Sequence, residues 1–260
     1  MENSITNAAD VIRAAWENGK AGQPIRAAFS DDDTVSGYRI QEYNDTLWQA
    51  QGRRRVGRKL ALTNKAVQRQ FGMSRPCHGN IYADMVLVEG TEITRRASSE
   101  QRVETEIAVV LKKDLTQTTH TILDIIDACD YILPAFEIVD SRFIGWNVRS
   151  CDFIADNTSA CLVVFGTKPV RLSDFDMTRS LMTTKRGDEV VSVGAAAACL
   201  GHPLHALKWL ADELVRAGNP LRAGEFVITG ALGPAVAAAP GDTFTAEITG
   251  LGSVTTVFAR

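Results

Sequence analysis

Long apolar runs are missing from this sequence, and none approaches the roughly 18 residues that a membrane span requires. The start, Met1-Glu2-Asn3-Ser4, lacks the basic opening and apolar stretch of a secretory signal. Cysteine is scarce and unpatterned. The five, at 77, 129, 151, 161 and 199, are odd in number and contain no C-x-x-C pair, which argues against a disulfide framework and a zinc knuckle. A cytoplasmic protein with reduced thiols and no membrane partner is expected. A basic excess is missing too: 28 Lys and Arg stand against 31 Asp and Glu, a formal charge of −3. That gives no case for nucleic acid as a partner. The one basic run, Arg53-Arg54-Arg55, reads as a solvated turn feeding a strand.

What is present is an ordinary globular composition, 45% hydrophobic and 23% charged over 260 residues, enough for one large domain or two modest ones. Ala8, Val11, Ile12, Ala15 and Trp16 recur at helical spacing and Gly19 ends the pattern. A second helix starts at Asp33 or Thr34 and runs through Tyr38, Tyr43 and Leu47 to Gly52. Then short apolar runs alternate with turn residues: 56–62, 81–87, 107–111, 161–165, 226–229, 244–248 and 254–258, each of strand length. Helical spacing returns at 122–129 and 204–218. No regular β-α-β alternation emerges, which disfavours a doubly wound sheet or a (β/α) barrel. The expectation is α+β: a helical N-terminal segment, 1–52, packed on a β-rich domain, 53–260.

The informative stretch is Arg102-Val103-Glu104-Thr105-Glu106-Ile107-Ala108-Val109-Val110-Leu111. On a strand, Glu104 and Glu106 point to one face. Two like charges at the mouth of a buried strand are costly unless a cation lies between them, and a hard ion such as Mg²⁺ or Mn²⁺ takes oxygen ligands. Glu137 sits in a similar apolar setting, Pro134-Ala135-Phe136-Glu137-Ile138-Val139. The competing reading places Glu104 and Glu106 on a solvated face and pairs Glu137 with an arginine such as Arg142. The residues alone leave the two in balance.

Lys59 lies in a strand-like run, Gly57 to Thr63. Buried, it would serve as acid, base or carboxylate anchor, though the pattern by itself favours a surface lysine. Ala155 to Ala160 is a polar stretch that reads either as a capping turn or as a holder of a substrate carboxylate. Thr229-Gly230-Ala231-Leu232-Gly233-Pro234 has glycines that let backbone N–H groups approach a ligand, as they do in any tight turn. Among the histidines, His202 and His205 read as capping or packing at a helix head, and His120 as surface.

Taken together, these motifs resemble the hydratase/decarboxylase branch of the fumarylacetoacetate hydrolase superfamily, within it the 2-keto-4-pentenoate (2-hydroxypenta-2,4-dienoate) hydratases. The resemblance runs from about Tyr38 to the C-terminus. It rests on Gly57-Arg58-Lys59-Leu60, Ala83-Asp84-Met85, Glu104-Thr105-Glu106-Ile107-Ala108, the run from Pro134 to Arg142, Ala155-Asp156-Asn157-Thr158-Ser159, Gly201-His202-Pro203-Leu204, Leu221-Arg222-Ala223-Gly224 and the loop from Thr229 to Pro234. It implies a mixed β-sandwich/roll, Mg²⁺ or Mn²⁺ on Glu104, Glu106 and Glu137, and a small 2-keto acid or dienoate chelating that ion. It also implies Lys59 as catalytic, with Ser159, Leu60, Thr229 and Gly230 around the substrate. A homo-oligomer built from pentamers follows, with association to a related decarboxylase as a further partner.

One departure stands out. Where these hydratases commonly carry Pro-Asp-aromatic-Gly, this chain reads Pro76-Cys77-His78-Gly79. His78 could take over the missing aspartate's proton transfer, or Cys77 is an inert thiol and His78 replaces an aromatic wall. The resemblance points first to hydration of a 2-hydroxy-2,4-dienoate. Decarboxylation of a 2-keto dicarboxylate of the 4-oxalocrotonate type is the alternative, and a structural partner with weak activity the third.

Overall fold

The computed structural model describes residues 2–30, 32–94 and 100–260. Two helices open the chain, α1 (Glu2–Asn18) and α2 (Thr34–Ala50). Asp33 caps α2, its carboxylate accepting from the Ser36 amide. The apolar stripe of α1, Ile5, Ala8, Ala9 and Ile12, packs with Ile40, Phe143 and Ala155. The buried face of α2 differs from the expected one. It carries Gly37, Ile40, Gln41, Asn44, Asp45 and Trp48, while Tyr43 is exposed. Polar groups can line this face because each finds a partner: Gln41 donates to the carbonyls of His78 and Ile154, and Asn44 to that of Ala9.

After α2 come β1 (Arg55–Ala61), α3 (Lys65–Gln70), β2 (Cys77–Tyr82), β3 (Val86–Val88), β4 (Glu92–Ile93) and β5 (Arg102–Leu111). Next are α4 (Ile122–Ala128), β6 (Cys129–Val139), α5 (Ser150–Ala155), β7 (Ala160–Phe165), β8 (Leu181–Arg186) and β9 (Glu189–Ala195). The chain finishes with α6 (Pro203–Arg216), β10 (Phe226–Ile228), β11 (Val236–Ala237), β12 (Thr243–Ile248) and β13 (Gly252–Phe258).

Eight strands form the larger sheet in the order β2-β1-β10-β5-β6-β7-β3, with β11 also on β5; five form the smaller one, β4-β13-β12-β8-β9. The expected strand at 81–87 is in fact broken by a 3₁₀ turn at Ala83–Met85. Its halves, β2 and β3, lie at opposite ends of the larger sheet. A three-residue link spans at most about 10 Å, so that sheet must curl until its ends meet. This is the roll of the expected α+β fold. The sheets pack through Val103, Phe136, Ile138 and Val164 against Phe244, Ala246, Val254 and Phe258. Helix α6 lays Leu207, Leu210, Ala211 and Leu214 over Leu60, Ile107, Val109 and Val227.

The β8–β9 hairpin is absent from the sequence reading. It has exposed Leu181, Val190 and Val193 and a mixed inner row of Met182, Thr184 and Ser192, so no clean alternation marks it; the turn at Gly187 (φ 58°) was its signal. His120 corrects another expectation. It is buried, and Asp212 on α6 accepts from its backbone amide at 2.8 Å and meets Nδ1 at 2.8 Å. The arginine run is likewise more than a solvated turn: Arg53 lies over Trp48 and Tyr82, and Arg55 pairs with Asp45. All five cysteines are buried and none forms a disulfide.

Candidate metal centre

Strand pairing assembles the carboxylates. Facing residues of an antiparallel pair share a side of the sheet, and alternate residues along a strand do as well. Glu104 on β5 stands opposite Glu137 on β6, and Glu106 follows Glu104 by one pleat step. The three offer oxygens within 4.8 Å of one another. Glu106 and Glu137 are fully buried and Glu104 half-buried.

Lys59 arrives from β1, two strands away through β10, and is buried rather than exposed. Its Nζ lies 3.0 Å from Glu137 Oε1 and donates to the Thr158 carbonyl at 3.0 Å. The expected pairing of Glu137 with Arg142 does not form. Arg142 instead binds Asp156 through its backbone amide, Nε and NH2, the last on the Asp156 carbonyl.

The Thr158 carbonyl is aimed by an unusual turn in which Asn157, Thr158 and Ser159 all have positive φ, 51°, 51° and 57°. Such conformations persist only where the surroundings impose them. Here Asn157 bonds the backbone of Asn80 in both directions, at 2.7 and 2.8 Å. Gly79 lets the turn approach, since a Cβ there would lie 2.5 Å from the Asn157 carbonyl oxygen.

Glu106 is held from behind. The Gly230 amide donates to its Oε2 at 2.7 Å, and Cys199 Sγ lies 2.9 Å from the Gly230 carbonyl oxygen. Gly230 has φ 107°, and a Cβ would fall 2.2 Å from Thr63 Oγ1. Only glycine fits. Glu106 Oε1 and Glu137 Oε2 are buried and make no hydrogen bond, and Glu137 Oε1 meets only the Lys59 ammonium, at 3.0 Å. Burial, then mutual repulsion, lifts Glu106 well above the usual carboxylate range; burial also raises Glu137 and Glu104, against the pull of Lys59. Burial alone would depress the Lys59 ammonium, but Glu137, Glu104 and Glu106 outweigh it and raise it. Buried, converging oxygens without donors fit a hard dication, and this is where one would bind.

A cavity of about 620 Å³ opens on the group. Lys59, Arg102 and Glu104 lie on its polar side, and Leu62, Phe71 and Phe153 on its apolar side. Leu60 borders it, with its side chain in the core. Ser159 does not line it: its hydroxyl lies 3.4 Å from Asp156 Oδ2. The Thr229 hydroxyl is spent on the Ile107 carbonyl, and Gly230 acts on Glu106 rather than on the cavity.

His78 is not brought to the glutamates. Register pairs Lys59 with Gly79, Leu60 with His78 and Ala61 with Cys77, so Cys77 shares the face of Lys59 and His78 takes the other. The His78 ring stacks on Tyr38 with centroids 4.7 Å apart, and burial depresses its pKa to about 3. Burial pushes the Cys77 thiol up to about 12, with Lys59 and Glu137 both in its field. Cys77, the neutral neighbour of Lys59, thus fits the inert-thiol reading of this departure rather than a catalytic His78. Alternation along β2 was the available signal, because only one of Cys77 and His78 can face Lys59.

Comparison with known proteins gives the family. The chain is 48% identical to 2-keto-4-pentenoate hydratase 1 of Dechloromonas aromatica (strain RCB) over 256 residues, covering 98% of this chain and 97% of that one. It is 45% identical to 2-keto-4-pentenoate hydratase of Burkholderia vietnamiensis (strain G4 / LMG 22486), covering 100% and 99%. The structure of 4-oxalocrotonate decarboxylase from Pseudomonas putida G7, complexed with magnesium and adipate, superposes with a TM-score of 0.94 at 30% identity, covering 99% and 98%. Residues 56–259 match the family described as fumarylacetoacetate (FAA) hydrolase C-terminal. With that match over most of its length and relatives this similar end to end, the chain belongs to the fumarylacetoacetate hydrolase family.

Proposed function

We propose that this chain is a divalent-metal-dependent hydro-lyase that adds water to a 2-hydroxy-2,4-dienoate and yields a 4-hydroxy-2-keto acid. The observation that carries the reading is the set of Glu104, Glu106 and Glu137, with oxygens within 4.8 Å of one another, beside the Lys59 ammonium. Two hydratases at 45–48% identity over nearly the whole chain support the reaction class. Magnesium or manganese suits the all-oxygen site. Five buried cysteines with no disulfide among them suit a reducing, cytoplasmic setting, and no helix among the described residues is long and apolar enough to cross a membrane.

Bound on the glutamates, the dication supplies a Lewis acid that stabilises negative charge developing on the 2-oxygen of the substrate. The chain's own groups do the rest. Gly230 and Cys199 keep Glu106 in place. Lys59 Nζ, steadied by the Thr158 carbonyl, is placed to carry a proton on that face, while Cys77 beside it stays a neutral thiol. Ketonisation of the dienol transfers its hydroxyl proton to C5. Water then adds across C3=C4, its hydroxyl to C4 and a proton to C3. The apolar wall of Leu62, Phe71 and Phe153 excludes bulk water from the carbon chain.

The test is consumption of the dienol by purified protein with Mg²⁺ or Mn²⁺, followed by absorbance and mass spectrometry. A metal-dependent product heavier by one water supports hydration. Release of carbon dioxide from 4-oxalocrotonate without water addition to the dienol would overturn it in favour of decarboxylation.

A further inference from the structure

Arg102 is a charged residue of the cavity with no assigned task. It lies on β5 two residues before Glu104, so both side chains leave the same side of the strand. It lines the cavity with Lys59 and Glu104. Among the described residues it forms no ion pair within 4.0 Å. Instead its guanidinium lies over the Trp146 ring, 4.4 Å from the centroid. That ring is itself fixed. Trp146 has φ 54° beside Gly145 at φ 63°, and its indole N–H donates to the Glu100 carbonyl at 3.0 Å.

A cation–π contact with the ring uses none of the guanidinium's hydrogen bonds to an anion, so the N–H fork stays available to a planar carboxylate. The expected carboxylate contact is engaged elsewhere, since the Ser159 hydroxyl sits with Asp156 away from the cavity lining. Charge counting adds a second reason. Three glutamates, a dication and a protonated Lys59 sum to zero. Arg102 leaves one positive charge, which a single substrate carboxylate would neutralise. A second carboxylate would overshoot.

We propose that Arg102, seated over Trp146, is the substrate-carboxylate receptor of this site and makes it selective for monoanionic 2-oxo acids. The inference deepens the proposed function and rests on the metal centre assumed there.

The experiment is calorimetric titration of the Mn²⁺-loaded protein with two unreactive probes, 2-oxopentanoate and 2-oxoadipate, for wild type, Arg102→Gln and Arg102→Lys. Titration with Mn²⁺ alone checks that each variant folds and keeps its metal. Wild type should bind 2-oxopentanoate more tightly than 2-oxoadipate. Arg102→Gln should weaken 2-oxopentanoate about 10–100-fold while leaving Mn²⁺ affinity unchanged or raised, and Arg102→Lys should recover part of the loss, consistent with a charge-assisted contact. Equal 2-oxopentanoate affinity in wild type and Arg102→Gln would overturn the receptor role. Tighter binding of 2-oxoadipate, lost in Arg102→Gln, would keep the receptor but overturn the monoanion preference. A loss of Mn²⁺ affinity alone would reduce Arg102 to a shield for Glu104 and overturn the proposal. Because the probes do not react, failed turnover of the dienol in a protein that binds them would count against hydration and not against Arg102.

Discussion

Two buried acidic centres in this chain are built on opposite principles. Asp156 is fully buried, yet Arg142 reaches both its carboxylate oxygens and its carbonyl, and also donates to the Ala160 carbonyl. Burial still lifts Asp156 to about 6 against the pull of Arg142. The protein completes that centre by itself. Glu106 and Glu137 are equally dry, share one lysine with the half-buried Glu104, and keep oxygens without a donor. A buried pair satisfied by its own arginine is structural. A buried cluster left open is prepared for something the chain does not carry.

The comparison can be broken from the closed side first. Arg142→Ala strands a buried carboxylate and should cost about 3–5 kcal/mol in urea unfolding; a loss under about 1 kcal/mol would mean that Asp156 does not depend on it. On the open side, Glu106→Gln should lower metal-dependent turnover by more than about 100-fold, since even outer partners of metal ligands are worth 10–100-fold. The same change removes like-charge repulsion, so the metal-free variant should melt no lower than metal-free wild type. A parallel fall in both melting temperatures would make Glu106 an ordinary core residue.

Two smaller effects sharpen the contrast. Gly230→Ala forces a Cβ against Thr63 and displaces the amide that holds Glu106, so Mn²⁺ affinity should drop about 10-fold or more with the fold retained. Unchanged affinity would show that Glu106 needs no anchor. His78 tests a buried base on the other face of the sheet. Its folded pKa, about 3, lies below the ordinary 6.5, so its stability contribution is complete above pH 6.5 and is lost as pH falls toward 3. Between pH 6.5 and 4.5 the protein should lose about 1.4 kcal/mol per unit from this group. Urea midpoints of His78→Phe should decline less steeply over that window, with turnover near wild type at pH 7.5. A collapse of turnover with the slope intact would return His78 to the catalytic role its placement does not support.

Much of this was legible in the residues. Period-three-to-four spacing announced α1, and Gly19 its end. Apolar runs marked β1, β7, β12 and β13 within two residues at each end. Period-two alternation alone put Glu104 and Glu106 on one face. Less legible were elements held by distant partners. Helix α2 buries amides because carbonyls of His78, Ile154 and Ala9 await them, and no local pattern records that. The run at 81–87 read as one strand because its apolar texture continues through a turn that sends the chain to the far end of the sheet.

Which segments bury apolar surface, and which carboxylates lie a pleat step apart, follow from local periodicity along the chain. Tertiary structure decided everything that needed a partner from another strand. It set Glu137 opposite Glu104, carried Lys59 into the interior, sent Arg142 to Asp156 and turned Cys77 rather than His78 toward the lysine. The physical reason is register: sliding one strand by a single residue reverses which side chains meet, and only the closed sheet fixes that choice.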